Sequence, residues 1–132
     1  MKIAIVGTRN FSKLDLIKTQ LSIIYTKLGT DDITIVSGGC RGVDKEAEEI
    51  AKTFGFKTKI YEANWDKHGK AAGPIRNSEI VKNADIFIVF WDNKSHGTRD
   101  TINKIIDAGK PLRVYNEKCT VEIEQLNIKE LK

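Results

Sequence analysis

Three observations predict an α/β protein built as a three-layer, doubly wound parallel sheet. Five apolar runs of strand length stand at residues 2–6, 33–36, 56–61, 85–90 and 112–115. Longer segments with apolar residues every three or four positions separate them, which is the alternation of strand and crossover helix. The stretch Asp85-Ile-Phe-Ile-Val-Phe90 is almost continuously apolar, as a strand covered by helices on both faces must be, so it belongs in the middle of the sheet. Right-handed crossovers then give the strand order 3-2-1-4-5, with ligands expected beyond the strands' carboxyl ends near the switch between strands one and four.

Along the chain, the first strand ends at Gly7. Ser12 is the expected N-cap of the first helix, whose Leu14, Ile17, Leu21, Ile24 and Leu28 share one face and which closes at Gly29. The second helix runs from about Asp44 to Phe54 and ends at Gly55, with Val43, Ala47, Ile50, Ala51 and Phe54 on its apolar side. Residues 63–77 read as a long, glycine-bearing loop of the kind that carries function. The third helix starts at Pro74, a residue favoured at the first helical position, and continues through Ile80 and Val81. The fourth runs from about Thr98 through Ile102, Ile105 and Ile106 to Gly109, and Pro111 stops it. From Thr120 onward Val121, Ile123, Leu126, Ile128 and Leu131 show no clear period; an edge strand, a short helix or packing on another subunit would each account for them.

A chain of 132 residues, 40% hydrophobic and 30% charged, forms one domain over 1–132, with a core at 1–115 and an extension at 116–132. No apolar run approaches the roughly 18 residues that span a bilayer, and the first residues lack signal-peptide organisation. The expectation is a cytoplasmic protein without a membrane partner. Cys40 and Cys119 form no CxxC or disulfide framework, and Cys40 reads as a small filler. His68 and His96 have no ligand partners at usable spacing, so neither a metal nor another cofactor is expected. The net charge of +4 comes with 18 interleaved acids, which favours a mixed solvated surface over a nucleic-acid face.

Charge placement points to an anionic ligand. Arg9, Arg41, Arg76 and Arg99 each follow an apolar run and stand beside a glycine or at a helix start, whereas the lysines scatter over helix faces and termini. A cation in the first turn opposes the helix dipole by about 0.3–1 kcal/mol, and a bound anion reverses that sign. Pairing with Asp44, Glu79 or Asp100 is the structural alternative for any one of these arginines. Ser37-Gly-Gly-Cys-Arg-Gly-Val-Asp44 follows a strand and opens a helix, so its glycines could bring backbone amides to a phosphate. It matches neither GxGxxG nor a Walker A loop, which excludes P-loop ATP hydrolysis. Asp44 either caps its helix or accepts from a ribose hydroxyl. Ser95-His-Gly-Thr-Arg-Asp100 is a second glycine turn at a helix start, preceded by Trp91, whose indole could stack on a base, and Asp92.

The ordered set Val6-Gly-Thr-Arg9, Ser37-Gly-Gly-Cys-Arg-Gly-Val-Asp44, Gly69-Lys-Ala-Ala-Gly-Pro-Ile-Arg-Asn77 and Phe90-Trp91 with Ser95-His-Gly-Thr98 resembles the YspA-like branch of the SLOG superfamily. That superfamily joins the SMF/DprA and LOG proteins, all Rossmann-like, and the resemblance covers roughly residues 1–115. It implies nucleotides or nucleotide-derived ligands, and oligomers with pockets near subunit interfaces. LOG enzymes cleave the N-glycosidic bond of nucleoside 5′-monophosphates with an arginine from Arg-Lys-x-x-Met and a glutamate from Pro-Gly-Gly-x-Gly-Thr-x-x-Glu. On that pattern Arg76 matches the arginine with Asn77 in place of the lysine, Gly97 and Thr98 match the second motif, and Thr101 stands where the glutamate would be. Glycoside cleavage wants a carboxylate at the developing cation. Asp100, one residue early, lies about 100° away around the helix. Either Asp100 or Asp92 substitutes from a different geometry, or the pocket only binds.

The reading that follows is a single-domain protein binding a nucleotide-type ligand, as a sensor or sequestering protein. Gly7, Thr8, Arg9, Gly38, Gly39, Gly97 and Thr98 would cradle phosphate, and Arg41 and Arg76 would neutralise it. Asp44, Trp91 and Asp92 would face ribose or base, with Gly42 and Asn77 completing the site. The alternative is a LOG-like nucleoside 5′-monophosphate N-glycosidase with Arg76, Asp100 and Asp92 as catalytic candidates. DprA-like single-stranded DNA binding ranks last, because most aromatics lie in apolar runs rather than beside lysines. The apolar tail predicts a homo-oligomer with contacts from residues 120–131.

Overall fold

The computed structural model describes residues 1–125. Its strands are β1 (Lys2–Gly7), β2 (Thr34–Ser37), β3 (Lys57–Ile60), β4 (Ile86–Phe90), β5 (Leu112–Tyr115) and β6 (Val121–Gln125). They form one sheet in the order β3-β2-β1-β4-β5-β6, parallel except for β6, which runs antiparallel to β5. The helices are α1 (Asp15–Leu28), α2 (Val43–Phe54), α3 (Trp65–His68), α4 (Ala72–Asn83) and α5 (His96–Ala108), with a 3-10 turn at Gly69–Ala71.

Side-chain alternation along the strands builds two cores, one on each face. Ile3, Ile5, Ile35 and Phe90 meet Ile17 and Leu21 of α1 and Val43, Ala47 and Ala51 of α2. Ala4, Val6, Val36, Phe87 and Val89 meet Ile80 and Val81 of α4 and Ile102 and Ile105 of α5. This is the expected three-layer, Rossmann-like fold. β1 pairs with β2 on one side and β4 on the other, with Gly7 opposite Phe90. The chain therefore leaves β1 and β4 side by side, at the switch point, and the Thr8 amide donates to the Phe90 carbonyl there at 3.0 Å.

Two local expectations are corrected. Ser12 does not cap α1: its N–H donates to Glu117 carboxylate oxygens at 3.1 and 3.2 Å and its hydroxyl to the same group, so the β5–β6 turn claims it. Residues 63–77 are mostly helical. Asn64 caps α3 by accepting from the Lys67 N–H at 3.1 Å, and α4 starts at Ala72, two residues before Pro74. Proline is tolerated at that third position because the first N–H groups of a helix have no intrahelical acceptor. Of the forms expected for the extension, the described part takes the edge strand, as β6 beside the five core strands. Ile123 turns inward onto the α4/α5 face, and the Gln125 side chain donates to the Ile105 and Lys110 carbonyls at 3.3 and 2.9 Å. Leu126, Ile128 and Leu131 lie outside the described residues.

Candidate functional site

A cleft of about 500 Å³ opens at the carboxyl ends of β1 and β4. Gly7, Thr8 and Arg9 line it from the β1 exit, and Asp92, Lys94 and Ser95 from the β4 exit. Gly97, Thr98 and Thr101 of α5 face Gly73, Arg76 and Asn77 of α4 across it.

Asp44 ties the walls together from below. It is the second residue of α2, 3% exposed, and its carboxylate accepts from the Gly7 amide at 3.1 Å and the Gly38 amide at 2.9 Å. It thus joins the ends of β1 and β2 instead of capping its own helix. Burial pushes its pKa up to about 6, although the Gly7 and Gly38 amides and the Arg76 guanidinium pull the other way. Close approach explains two glycines: a Cβ at Gly7 would collide with the Phe90 carbonyl oxygen, and one at Gly42, which has φ 83°, with the Arg9 backbone. Of the glycines in the β2–α2 turn, Gly42 brings backbone to backbone, whereas Gly38 makes room for the Arg76 and Asp44 side chains.

Arg76 lies in the second turn of α4, half-buried, because the helix begins earlier than expected. Its Nη1 donates to the Gly38 carbonyl at 2.6 Å and its Nε to the Asn77 side-chain oxygen at 3.0 Å. Buried Asn77 passes the connection on, donating to the Gly97 carbonyl and to Asp100 Oδ2, both at 3.2 Å. Asp100 also pairs with Lys104 at 2.8 Å and does not line the cleft. Thr101 does line it, buried, with its hydroxyl donating to the Gly97 carbonyl at 3.2 Å.

On the β4 side, Asp92 Oδ1 accepts from the Lys94 and Ser95 amides, each at 2.8 Å, and from the Thr8 hydroxyl at 3.4 Å. Burial raises the pKa of Asp92, but the Ser95 and Lys94 amides and the Thr8 hydroxyl together hold it below the ordinary carboxylate value. Ser95 is the N-cap of α5, its Oγ accepting from the Thr98 amide at 3.4 Å and the Thr98 hydroxyl at 3.2 Å. The amides of His96 and Gly97 have no acceptor among the described residues, and no atom beyond its neighbours lies within 4 Å of where a Cβ on Gly97 would stand. Arg9 and Lys94 are exposed on the cleft wall and make no ion pair among the described residues.

Of the four arginines, Arg9 and Arg76 reach the cleft, while exposed Arg41 and Arg99 do not line it. Gly38, Gly39 and Gly42 stand behind the wall. Trp91 is also off the cleft: its indole N–H donates to the Ser95 carbonyl at 3.1 Å and its ring packs on the α4/α5-side core. Lys94 and Trp65 line the cleft without having been singled out from sequence. Their signals were present: Lys94 precedes the Ser95 cap, and Trp65 follows the Asn64 cap.

A model of the YspA, cpYpsA-related SLOG family matches residues 1–68, which carry the Gly7–Arg9 and Ser37–Asp44 motifs. The Gene 61 protein of Mycobacterium phage D29 is 34% identical over 92 residues, covering 65% of this chain and 74% of that relative. The DNA processing protein A (DprA) structure from Streptococcus pneumoniae aligns with a TM-score of 0.66 at 22% identity, over 87% of this chain and 49% of that one. The chain thus spans about half of that protein. DprA from Helicobacter pylori, whose structure concerns a single-stranded DNA binding mode, aligns at 0.68 and 23% identity over 99% of this chain and 71% of its own. At these identities the two DprA structures speak to the fold, whereas the family match spans both motifs of the first half: the chain belongs to the YspA, cpYpsA-related SLOG family.

Proposed function

We propose that the cleft binds a nucleotide or nucleotide-derived ligand, with its phosphate at the start of α5. The observation carrying this reading is that the His96 and Gly97 amides are unengaged among the described residues at a helix start where Gly97 lines the cleft with open space on its Cβ side, together with the cations Lys94 and Arg9. A helix N-terminus with free amides favours negative charge, and the cations add to it. The Gly7 and Gly38 amides, by contrast, already serve the Asp44 carboxylate, so the phosphate cradle narrows to the α5 turn. Thr8, Asp92 and Asn77 supply the polar groups for a sugar.

Binding without hydrolysis is the reading the carboxylates support. Thr101 occupies the cleft where the LOG pattern has its glutamate, and Asp100 is turned to Asn77 and Lys104. Calorimetric titration with ribose 5-phosphate and the four common nucleoside 5′-monophosphates tests binding, and chromatography of the same mixtures tests hydrolysis. Binding with no free base is expected; steady base release that Asp92→Asn abolishes would establish the glycosidase instead. A second reading, single-stranded DNA, is favoured by Trp65, an aromatic 52% exposed on the cleft wall. Fluorescence anisotropy with labelled oligothymidylate decides it: tight binding of the oligomer with none of the mononucleotides would replace the first reading.

A further inference from the structure

We propose that Trp65 is the stacking surface for a flat aromatic base, making the α3–α4 side of the cleft a base subsite; this rests on the nucleotide reading above. The cleft is chemically two-ended. Its α5 side carries cations, hydroxyls and free amides, whereas exposed Trp65 and Pro74 present carbon on the other side, with Arg76 and Asn77 further along α4. Trp65 is a large apolar side chain left 52% exposed, although core partners are available to most aromatics of this chain. An indole placed so offers its π face to a second ring.

The backbone beneath Trp65 is held by the Asn64 cap, whose side chain accepts from the Lys67 amide at 3.1 Å. The indole edge rests on α4 at buried Gly73, where a Cβ would lie 3.4 Å from Cη2. Gly73 is four residues, just over one helical turn, before Asn77, about 6 Å along the axis. Asn77 in turn touches the Gly97 carbonyl at 3.2 Å. The stacking surface and the phosphate turn are therefore separated by one turn of α4, room for a sugar between base and phosphate. The other tryptophan is committed elsewhere: the Trp91 N–H is held by the Ser95 carbonyl and the ring by the core.

The test uses the full chain and two probes, adenosine 5′-monophosphate and ribose 5-phosphate, which share the phosphate and differ by the base. Trp65→Ala should weaken adenosine monophosphate binding by about tenfold, within the range of one lost base–aromatic contact. It should leave ribose 5-phosphate affinity unchanged, and Trp65→Phe should retain most of the binding. In Trp91→Phe protein the remaining Trp65 emission should be quenched by saturating nucleotide and not by ribose 5-phosphate. Adenosine monophosphate binding at wild-type strength in Trp65→Ala overturns the stacking role while leaving the phosphate site standing. Wild-type protein that binds neither probe overturns the phosphate reading itself. Equal weakening of both probes in Trp65→Ala, with a lowered melting temperature, makes the indole a structural prop and also overturns the proposal.

Discussion

Asp44 sets the balance at the residue scale. Its pKa rises with burial from 3.8 to about 6, so between those pH values the folded chain holds a proton that the unfolded chain has released. The contribution of Asp44 to stability is therefore largest below pH 4 and declines as pH rises to about 6, by roughly 3 kcal/mol for a shift of this size. Asp44→Asn should remove this decline: the stability difference between wild type and variant, from urea melts at pH 4 and pH 7, should move in that direction. Arg76→Ala should lower stability as well as binding, because Nη1 holds the Gly38 carbonyl, a charge-assisted bond worth about 1.5–3 kcal/mol. Gly97→Leu separates the two effects. Its side chain would enter open cleft, so the melting temperature should hold or rise while calorimetry shows binding lost.

Among the elements, β6 carries consequences beyond its length. It covers the outer edge of β5, packs half-buried Ile123 against the core and satisfies the carbonyls of Ile105 and Lys110 through Gln125. A chain ending at Glu117 should therefore melt several degrees lower by circular dichroism; an unchanged melting temperature would make β6 a dispensable appendage. The β5–β6 turn also reaches the cleft indirectly. Glu117 holds Ser12, three residues after Arg9, so Glu117→Gln is expected to loosen the β1–α1 turn and weaken anion binding modestly without abolishing it.

Charge and assembly are properties of the whole molecule. Phosphate held by Arg9, Lys94 and helix amides should bind more weakly as salt rises, most steeply over the first hundred or so millimolar, since these cations are exposed. Homo-oligomerisation stays a proposal. Of the five apolar tail residues that point to it, Ile123 packs on the chain's own core, exposed Val121 is available to a partner, and the other three lie outside the described residues. Light scattering of the full chain and of the chain ending at Glu117 distinguishes a tail-mediated oligomer from a monomer. No helix among the described residues is long and apolar enough to cross a membrane.

Periodicity and punctuation are local properties, and the sequence by itself determined what depends on them. The five parallel strands and four long helices were legible because alternation, 3.6-residue spacing and closing glycines act within a few residues; the sheet order and switch point then followed from right-handed crossovers around the continuously apolar central strand. The ordered glycine motifs likewise marked the family. The short helix α3 was not legible, since two glycines and a proline in 63–77 suggest a loop until one sees that Asn64 caps it and that Pro74 stands where no N–H is needed. Only the tertiary structure decided which polar group holds which. Asp44 reaches Gly7 across 37 positions, Arg76 reaches Gly38 across 38, and Ser12 is taken by Glu117 across 105. A carboxylate or guanidinium suits a ligand and a backbone amide or carbonyl equally well. Distance settles the choice, and distance between remote positions exists only once the layers have packed.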